Sequence, residues 1–224
     1  MKMLLVCKDT HQYTHWFPLA MAYVARSLID EGIEVEIYDQ EIHHYSDRHL
    51  TEHLNNNHFD FIGVTAIGGY YEYKRLIEVS ASINKSKNRP FYLLGGYCSA
   101  PEPEYFLKKT GADAIVIGEG DVTIVELIKA VASKASLRNV QGIAYMDGNE
   151  CVQTPDRPLI ADINTIPLPA FDLFDVSHYS MLRMPYANIT DRVMPMLSGR
   201  GCPFKCTFCY RMDKGYRPRS SENM

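Results

Sequence analysis

"PFYLLGGYCSAPEPEYFLKKTGADAIVIGEGDVTIVELIKAVASK", residues Pro90–Lys134, holds two apolar runs that each end in glycine, followed by a helical pattern. "PFYLLGG" (Pro90–Gly96) and "DAIVIG" (Asp113–Gly118) are apolar almost without interruption. Such runs are expected of parallel strands covered by helices on both faces. "DVTIVELIKAVASK" opens on Asp121 and places Ile124, Val125, Leu127, Ile128 and Val131 on one helical face. Strand, turn and helix in repeated succession indicate parallel strands joined by crossovers.

The same alternation continues toward the amino terminus. "KMLLVC" (Lys2–Cys7), "IEVEIYD" (Ile33–Asp39) and "DFIGVTA" (Asp60–Ala66) read as three more strands. "PLAMAYVARSLIDEG" reads as a helix with Pro18 in its first turn, Leu19, Ala22, Tyr23, Ala25 and Leu28 facing inward, and Gly32 as its stop. The expected fold is α/β: a doubly wound, five-stranded parallel sheet of Rossmann-like type over residues 1–135.

Ligands of such sheets bind at the carboxyl ends of the strands, near the switch in strand order. The turns there read "CKDTHQYTHW", "TAIGGYYE", "LGGYCSAPEPE" and "IGEGD". Gly68, Gly69, Gly95, Gly96, Gly118 and Gly120 recur in them, and each is either a turn glycine or a point of close backbone approach to a ligand. Three glycine-rich turns on one edge point to a large planar or phosphate-bearing ligand.

Residues 136–190 read as a hairpin and a linker. "VQGIAYMDGNECVQT" turns at Asp147 and Gly148, a strong local hairpin signal. "PDRPLIADINTIPLPAFDLFDVSHYS" follows, where Pro155, Pro158, Pro167 and Pro169 exclude long regular structure.

With 224 residues, 46% hydrophobic, the chain can bury one substantial core or one core and part of another. A net charge of −4 gives no general attraction to nucleic acid or anionic lipid, so neither partner is expected. The apolar runs are of strand length and "MKMLLVCKDT" is too soon charged for a signal peptide, which places the protein in the cytoplasm. Cys7, Cys98 and Cys151 are scattered, as structural thiols in a reducing compartment would be.

The other three cysteines sit in "CPFKCTFC", Cys202, Cys206 and Cys209, with the spacing C-x3-C-x2-C. Three thiolates this close can hold one face of an iron–sulfur cube and leave one iron open to exchangeable ligands. The alternative is zinc, for which three thiolates and a histidine would be usual. No histidine lies between Cys202 and Met224, and the nearest upstream is His178.

"MLSGRGCPFKCTFC" resembles the signature of radical S-adenosylmethionine enzymes, C-x3-C-x-aromatic-C, with Phe208 at the aromatic position. The resemblance implies that Cys202, Cys206 and Cys209 ligate a [4Fe-4S] cluster, whose open iron chelates S-adenosylmethionine, with Phe208 beside the adenine. It also implies a small-molecule substrate and an external electron donor. "VMPMLSGRG" (Val193–Gly201) is then the first strand and turn of a partial barrel, so residues 191–224 would begin a radical SAM domain. A barrel takes on the order of 200 residues or more, and the expectation is an amino-terminal portion, inactive alone.

The upstream stretch "LLGGYCSAPEPEYFLKKTGADAIVIGEGDVTIVELI", with the hairpin and "IPLPAFDLFD", resembles the cobalamin-binding domain that precedes this barrel in one large subgroup. Thr65, Gly95, Gly96, Gly118, Glu119 and Gly120 take the cobalamin-contacting role by that resemblance, and radical methyl transfer to an unactivated carbon, or a related rearrangement, is the implied activity. The alternative is a non-catalytic cobalamin-binding module with a remnant cysteine loop. Cobalamin domains of the methionine synthase and mutase lineage hold cobalt through D-x-H-x-x-G. Here Asp9 and His11 match and Thr14 stands where that motif has glycine, so His11 is a candidate lower ligand of cobalt, with His15 and Trp16 nearby. The basic tail residues Lys205, Arg211, Lys214, Arg217 and Arg219, set against Asp213, are expected either to stabilise the anionic cluster and cofactor carboxylate or to be solvated.

Overall fold

Period-two alternation along buried strands builds the core. In chain order the first elements are β1 (Lys2–Cys7), α1 (Leu19–Asp30), β2 (Glu34–Asp39), α2 (Gln40–His43), α3 (Asp47–Asn56) and β3 (Phe61–Thr65). They are followed by α4 (Tyr70–Asn84), β4 (Phe91–Gly95), α5 (Pro103–Thr110), β5 (Ala114–Val116) and α6 (Gly120–Ala132). The computed structural model describes residues 1–11, 16–181, 187–188, 190–209 and 215–224. Thr14, His15, Arg211, Asp213 and Lys214 lie outside the described residues.

Met3, Leu5, Phe61, Leu93 and Ala114 face one way and pack on Ala22, Ala25 and Leu28 of α1 and on Leu127 and Ile128 of α6. Leu4, Val6, Ile62, Val64, Tyr92, Leu94 and Ile115 face the other way and pack on α3, α4 and α5. Fully burying one such aliphatic side chain contributes about 1.5–3 kcal/mol, so the two layers dominate stability. The Tyr92 hydroxyl inside the second layer is satisfied by Ser80 Oγ at 2.8 Å.

The sheet order is β2-β1-β3-β4-β5 followed by β6 (Ile143–Asp147) and β7 (Glu150–Gln153), and all neighbours up to β5 are parallel. The strand order reverses between β1 and β3, the switch point at which a crevice opens in folds of this order.

The expected five strands become seven. β6 and β7 form the expected hairpin, but β6 lies antiparallel on β5 and extends the same sheet. The physical reason is the open edge of β5. Its unpaired amides and carbonyls are covered by the hairpin, and Ile143 and Ala144 become fully buried in doing so.

The proline-rich segment is docked rather than loose. Phe17 meets the rings of Phe171, Phe174 and Tyr179 at 5.2, 5.0 and 5.3 Å. Tyr179, in the short helix α7 (Val176–Ser180), donates its hydroxyl to Asp39 Oδ2 at 2.9 Å.

Beyond it, the strand expected over Val193–Gly201 is shorter and pairs differently. β8 (Gly199–Cys202) and β9 (Gly215–Pro218) form a two-stranded antiparallel ribbon. Pro195 cannot donate to a ladder, which removes the earlier half of the expected strand. Among the described residues no helix is long and apolar enough to cross a membrane.

Two glycines at the carboxyl edge differ in what holds them. A Cβ on Gly96, at φ +93°, would stand 2.3 Å from the Ala66 carbonyl oxygen, whereas one on Gly118, at φ +79°, would meet nothing within 4 Å. Gly96→Ala should therefore destabilise by about 3 kcal/mol or more, and Gly118→Ala by only about 1–2 kcal/mol, the left-handed backbone cost. Urea denaturation measures both, and equal losses would contradict the difference in packing.

Candidate functional site

A cavity of about 530 Å³ opens beneath the carboxyl edge, between the sheet and helices α1 and α6. That size suits a small-molecule or cofactor fragment. Its walls come from β1, β3, β4 and β5 at the switch point, and they include Thr65, Gly95, Gly96, Gly118, Glu119 and Gly120. The structure thus brings together, on one cavity, all six positions that the sequence resemblance singled out for cobalamin.

Gly63 was missed by sequence reasoning. It sits mid-strand in β3, where a Cβ would fall 2.6 Å from Met3 Cε and 2.8 Å from Leu5 Cδ2, and it lines the cavity. A glycine inside a buried strand signals close approach of a ligand or another chain segment, and "DFIGVTA" carried that signal.

Tyr23 of α1 and the root of the cysteine loop, Leu197, Gly199, Arg200 and Gly201, complete the wall. Arg200 reaches Asp121 with both nitrogens, Nη1 donating to Oδ2 at 2.7 Å and Nη2 to Oδ1 at 3.0 Å. It also donates to Glu119 Oε1 at 3.1 Å. Arg217 Nη1 donates to Glu119 Oε2 at 3.0 Å, and the Ile160 amide donates to the same oxygen at 2.7 Å. The guanidinium carbons of Arg200 and Arg219 lie 5.5 and 5.7 Å from the centre of the Tyr23 ring. Arg217 and Arg219 are therefore drawn onto the first domain rather than solvated, because it offers a carboxylate and an aromatic face to receive them. Lys205 is exposed.

Burial alone would push the Glu119 carboxyl up, but Arg217, the Ile160 amide and Arg200 bring it below the usual glutamate range. Burial alone would likewise lower the Arg200 guanidinium, and Asp121 and Glu119 raise it instead.

At the neighbouring turn after β1, Asp9 is almost fully buried. Its Oδ1 accepts the His11 amide at 2.7 Å, and its Oδ2 pairs with His44 Nδ1 at 2.7 Å. His11 Nδ1 stands 3.3 Å from Asp9 Oδ1, and its exposed ring sits on a left-handed backbone of φ +55°. His11 is not among the residues lining the cavity.

Of the three clustered cysteines, Cys202 ends β8 and is half-buried, and Cys206 and Cys209 are exposed on the loop that follows. "CPFKCTFC" contains no carboxylate and no imidazole, so its donor chemistry suits an iron–sulfur cluster. Among the described residues no three His, Cys, Asp or Glu side chains converge on one metal-sized point. Phe208 is almost fully exposed. Elsewhere, burial pushes the Cys7 thiol well up, in keeping with an inert structural role.

The Glu119 pairing has a pH signature. A carboxyl held below its unfolded value contributes stability that is complete above about pH 4.3 and is lost as pH falls through the folded value. Glu119→Gln should cost about 2 kcal/mol near pH 7, and the gap to the parent chain in urea midpoints should close below about pH 4. A gap that persists unchanged to about pH 3 would contradict the pairing.

A family model described as the B12 binding domain matches residues 10–128. An uncharacterised methyltransferase of Pyrococcus horikoshii is 28% identical over 100% of this chain and 49% of its own length. The anaerobic magnesium-protoporphyrin IX monomethyl ester cyclase of Cereibacter sphaeroides is 28% identical over 93% of this chain and 34% of its own length. Among solved structures, the cobalamin-dependent S-adenosylmethionine radical enzyme OxsB with aqua-cobalamin bound shares the fold, with a TM-score of 0.77 at 21% identity. That similarity covers 99% of this chain and 30% of the OxsB chain, so the chain spans about half or less of each of these relatives. Because that family model matches more than half of the chain, the chain belongs to the B12-binding domain family.

Proposed function

We propose that this chain is the cobalamin-binding and cluster-loop portion of a cobalamin-dependent radical SAM enzyme of methyltransferase type. The observation that carries the reading is the gathering of Thr65, Gly95, Gly96, Gly118 and Gly120 on one cavity at the sheet switch point. Open space beside Gly95 and Gly118, where a Cβ would meet nothing within 4 Å, is the cradle a bulky macrocycle needs. These five residues hold cobalamin, which supplies the methyl group in such chemistry. Cys202, Cys206 and Cys209 would hold a [4Fe-4S] cluster, which with S-adenosylmethionine would supply the radical chemistry, and Phe208 would pack beside that cofactor.

This chain's own residues bind and orient. The apolar walls from Leu5, Val64, Leu93 and Ile124 exclude water from the part of the cofactor they enclose. His11, its ring beside Asp9, is a candidate lower ligand of cobalt, since a carboxylate on one ring nitrogen fixes the tautomer and frees the other. In the whole protein a small-molecule substrate and an external electron donor complete the system, and the setting is cytoplasmic. The reading as a cobalamin-binding module without a cluster keeps one observation in its favour: the three thiols do not converge among the described residues.

Titration calorimetry with hydroxocobalamin, followed by anaerobic reconstitution with iron and sulfide, separates the readings. The enzyme reading expects one cobalamin per chain, broad absorbance near about 400 nm and about four irons per chain, lost when Cys202, Cys206 and Cys209 become alanine. Cobalamin binding without iron uptake would favour the module, and no cobalamin binding would overturn both.

A further inference from the structure

We propose that Arg200 is a positioning residue that couples the cysteine loop to the cobalamin cavity, its guanidinium held by Asp121 and Glu119 at the Gly118–Gly120 turn; the inference rests on the cobalamin reading above.

Three observations carry it. First, one turn does two jobs. Gly118, Glu119, Gly120 and Asp121 all line the cavity, and Glu119 and Asp121 also bind the arginine that sits two residues before Cys202. Second, the pairing is long-range and buried. Arg200 and Asp121 are 79 residues apart in sequence, with side chains only 14% and 8% exposed. Burying such charges costs several kcal/mol per ion before their attraction is counted, so the geometry they impose is the gain to look for. Third, the contact is bidentate. Two parallel N–H donors on one carboxylate set the direction of the β8 backbone as well as its distance, which a lysine ammonium could not do.

Tyr23 adds a second route between the same two places. Its ring lines the cavity and carries the Arg200 guanidinium 5.5 Å from its centre. A ligand in the cavity thus presses on the acidic turn and on the aromatic face that together hold Arg200. Its binding must bias the ribbon of β8 and β9, and by linkage the ribbon must bias its binding.

The test uses the whole 224-residue chain and hydrogen exchange of the ribbon, with and without hydroxocobalamin at saturation. In the parent chain, hydroxocobalamin should slow amide exchange at residues 199–202 and 215–217 by about tenfold. Arg200→Lys keeps the charge and loses the fork, and Asp121→Asn keeps the shape and loses the acceptor. Each should bind hydroxocobalamin about tenfold more weakly and show no ligand-dependent slowing of the ribbon once saturated. Circular dichroism checks that each is folded, and either folded variant suffices. Ligand-dependent slowing retained in a variant, or absent from a parent chain that does bind cobalamin, would overturn the proposal. A variant that folds but no longer binds would make Arg200 a direct contact instead and would overturn it too. A parent chain that binds no cobalamin is a different failure, that of the cobalamin reading itself, and is seen in the titration before any exchange is measured.

Discussion

Helices seal both faces of β1, β3 and β4, and that constraint places everything else. With Leu4, Val6, Ile62 and Leu94 buried on one side and Met3, Leu5 and Leu93 on the other, the sheet faces are closed except for the cavity under α1 and α6 that Leu5 and Leu93 help to line. What is left is the carboxyl edge, where the strands end and the backbone turns. The chain fills that edge with glycine, and the missing side chains of Gly95 and Gly118 leave open space there, while the place of a Gly63 side chain is taken by Met3 and Leu5. A cofactor site here is a consequence of where side chains are absent as much as of where they are present.

The second organising feature is the group of buried charges above that cavity. Glu119 accepts from Arg200, Arg217 and the Ile160 amide, so its carboxylate is fully engaged with the protein. The resemblance assigned Glu119 to cobalamin, and the geometry gives it work that needs no cofactor. Both roles meet at one turn, since the residue on either side of Glu119 lines the cavity. A domain that ties its ligand-binding turn to the next segment in this way has a built-in means of registering one site against the other.

Much of the fold was legible because its signals are local. Continuous apolar runs in "KMLLVC" and "FYLLG" name strands, glycines name the turns, and the helical face of α6 is written in five apolar positions. The glycine cavity was legible for the same reason, although Gly63 was passed over inside a run read only for its hydrophobicity. What could not be read depends on partners remote in sequence. Nothing in "IAYMD" says that it will lie antiparallel on β5, and nothing in "SGRGC" says that Arg200 will find Asp121. Charge pairs have no period, and edge strands take whichever edge the fold leaves open. The cysteine spacing was legible as chemistry, while the three thiols remain apart in the structure.

Anomalous X-ray diffraction at the cobalt edge, from crystals grown with hydroxocobalamin, tests the central claim most directly. The account predicts one cobalt peak per chain above the carboxyl ends of β3, β4 and β5, with corrin density against Gly95, Gly96 and Gly118. A cobalt peak elsewhere, such as beside the surface histidines of α2 and α3, with the glycine-lined cavity free of cofactor density, would contradict it.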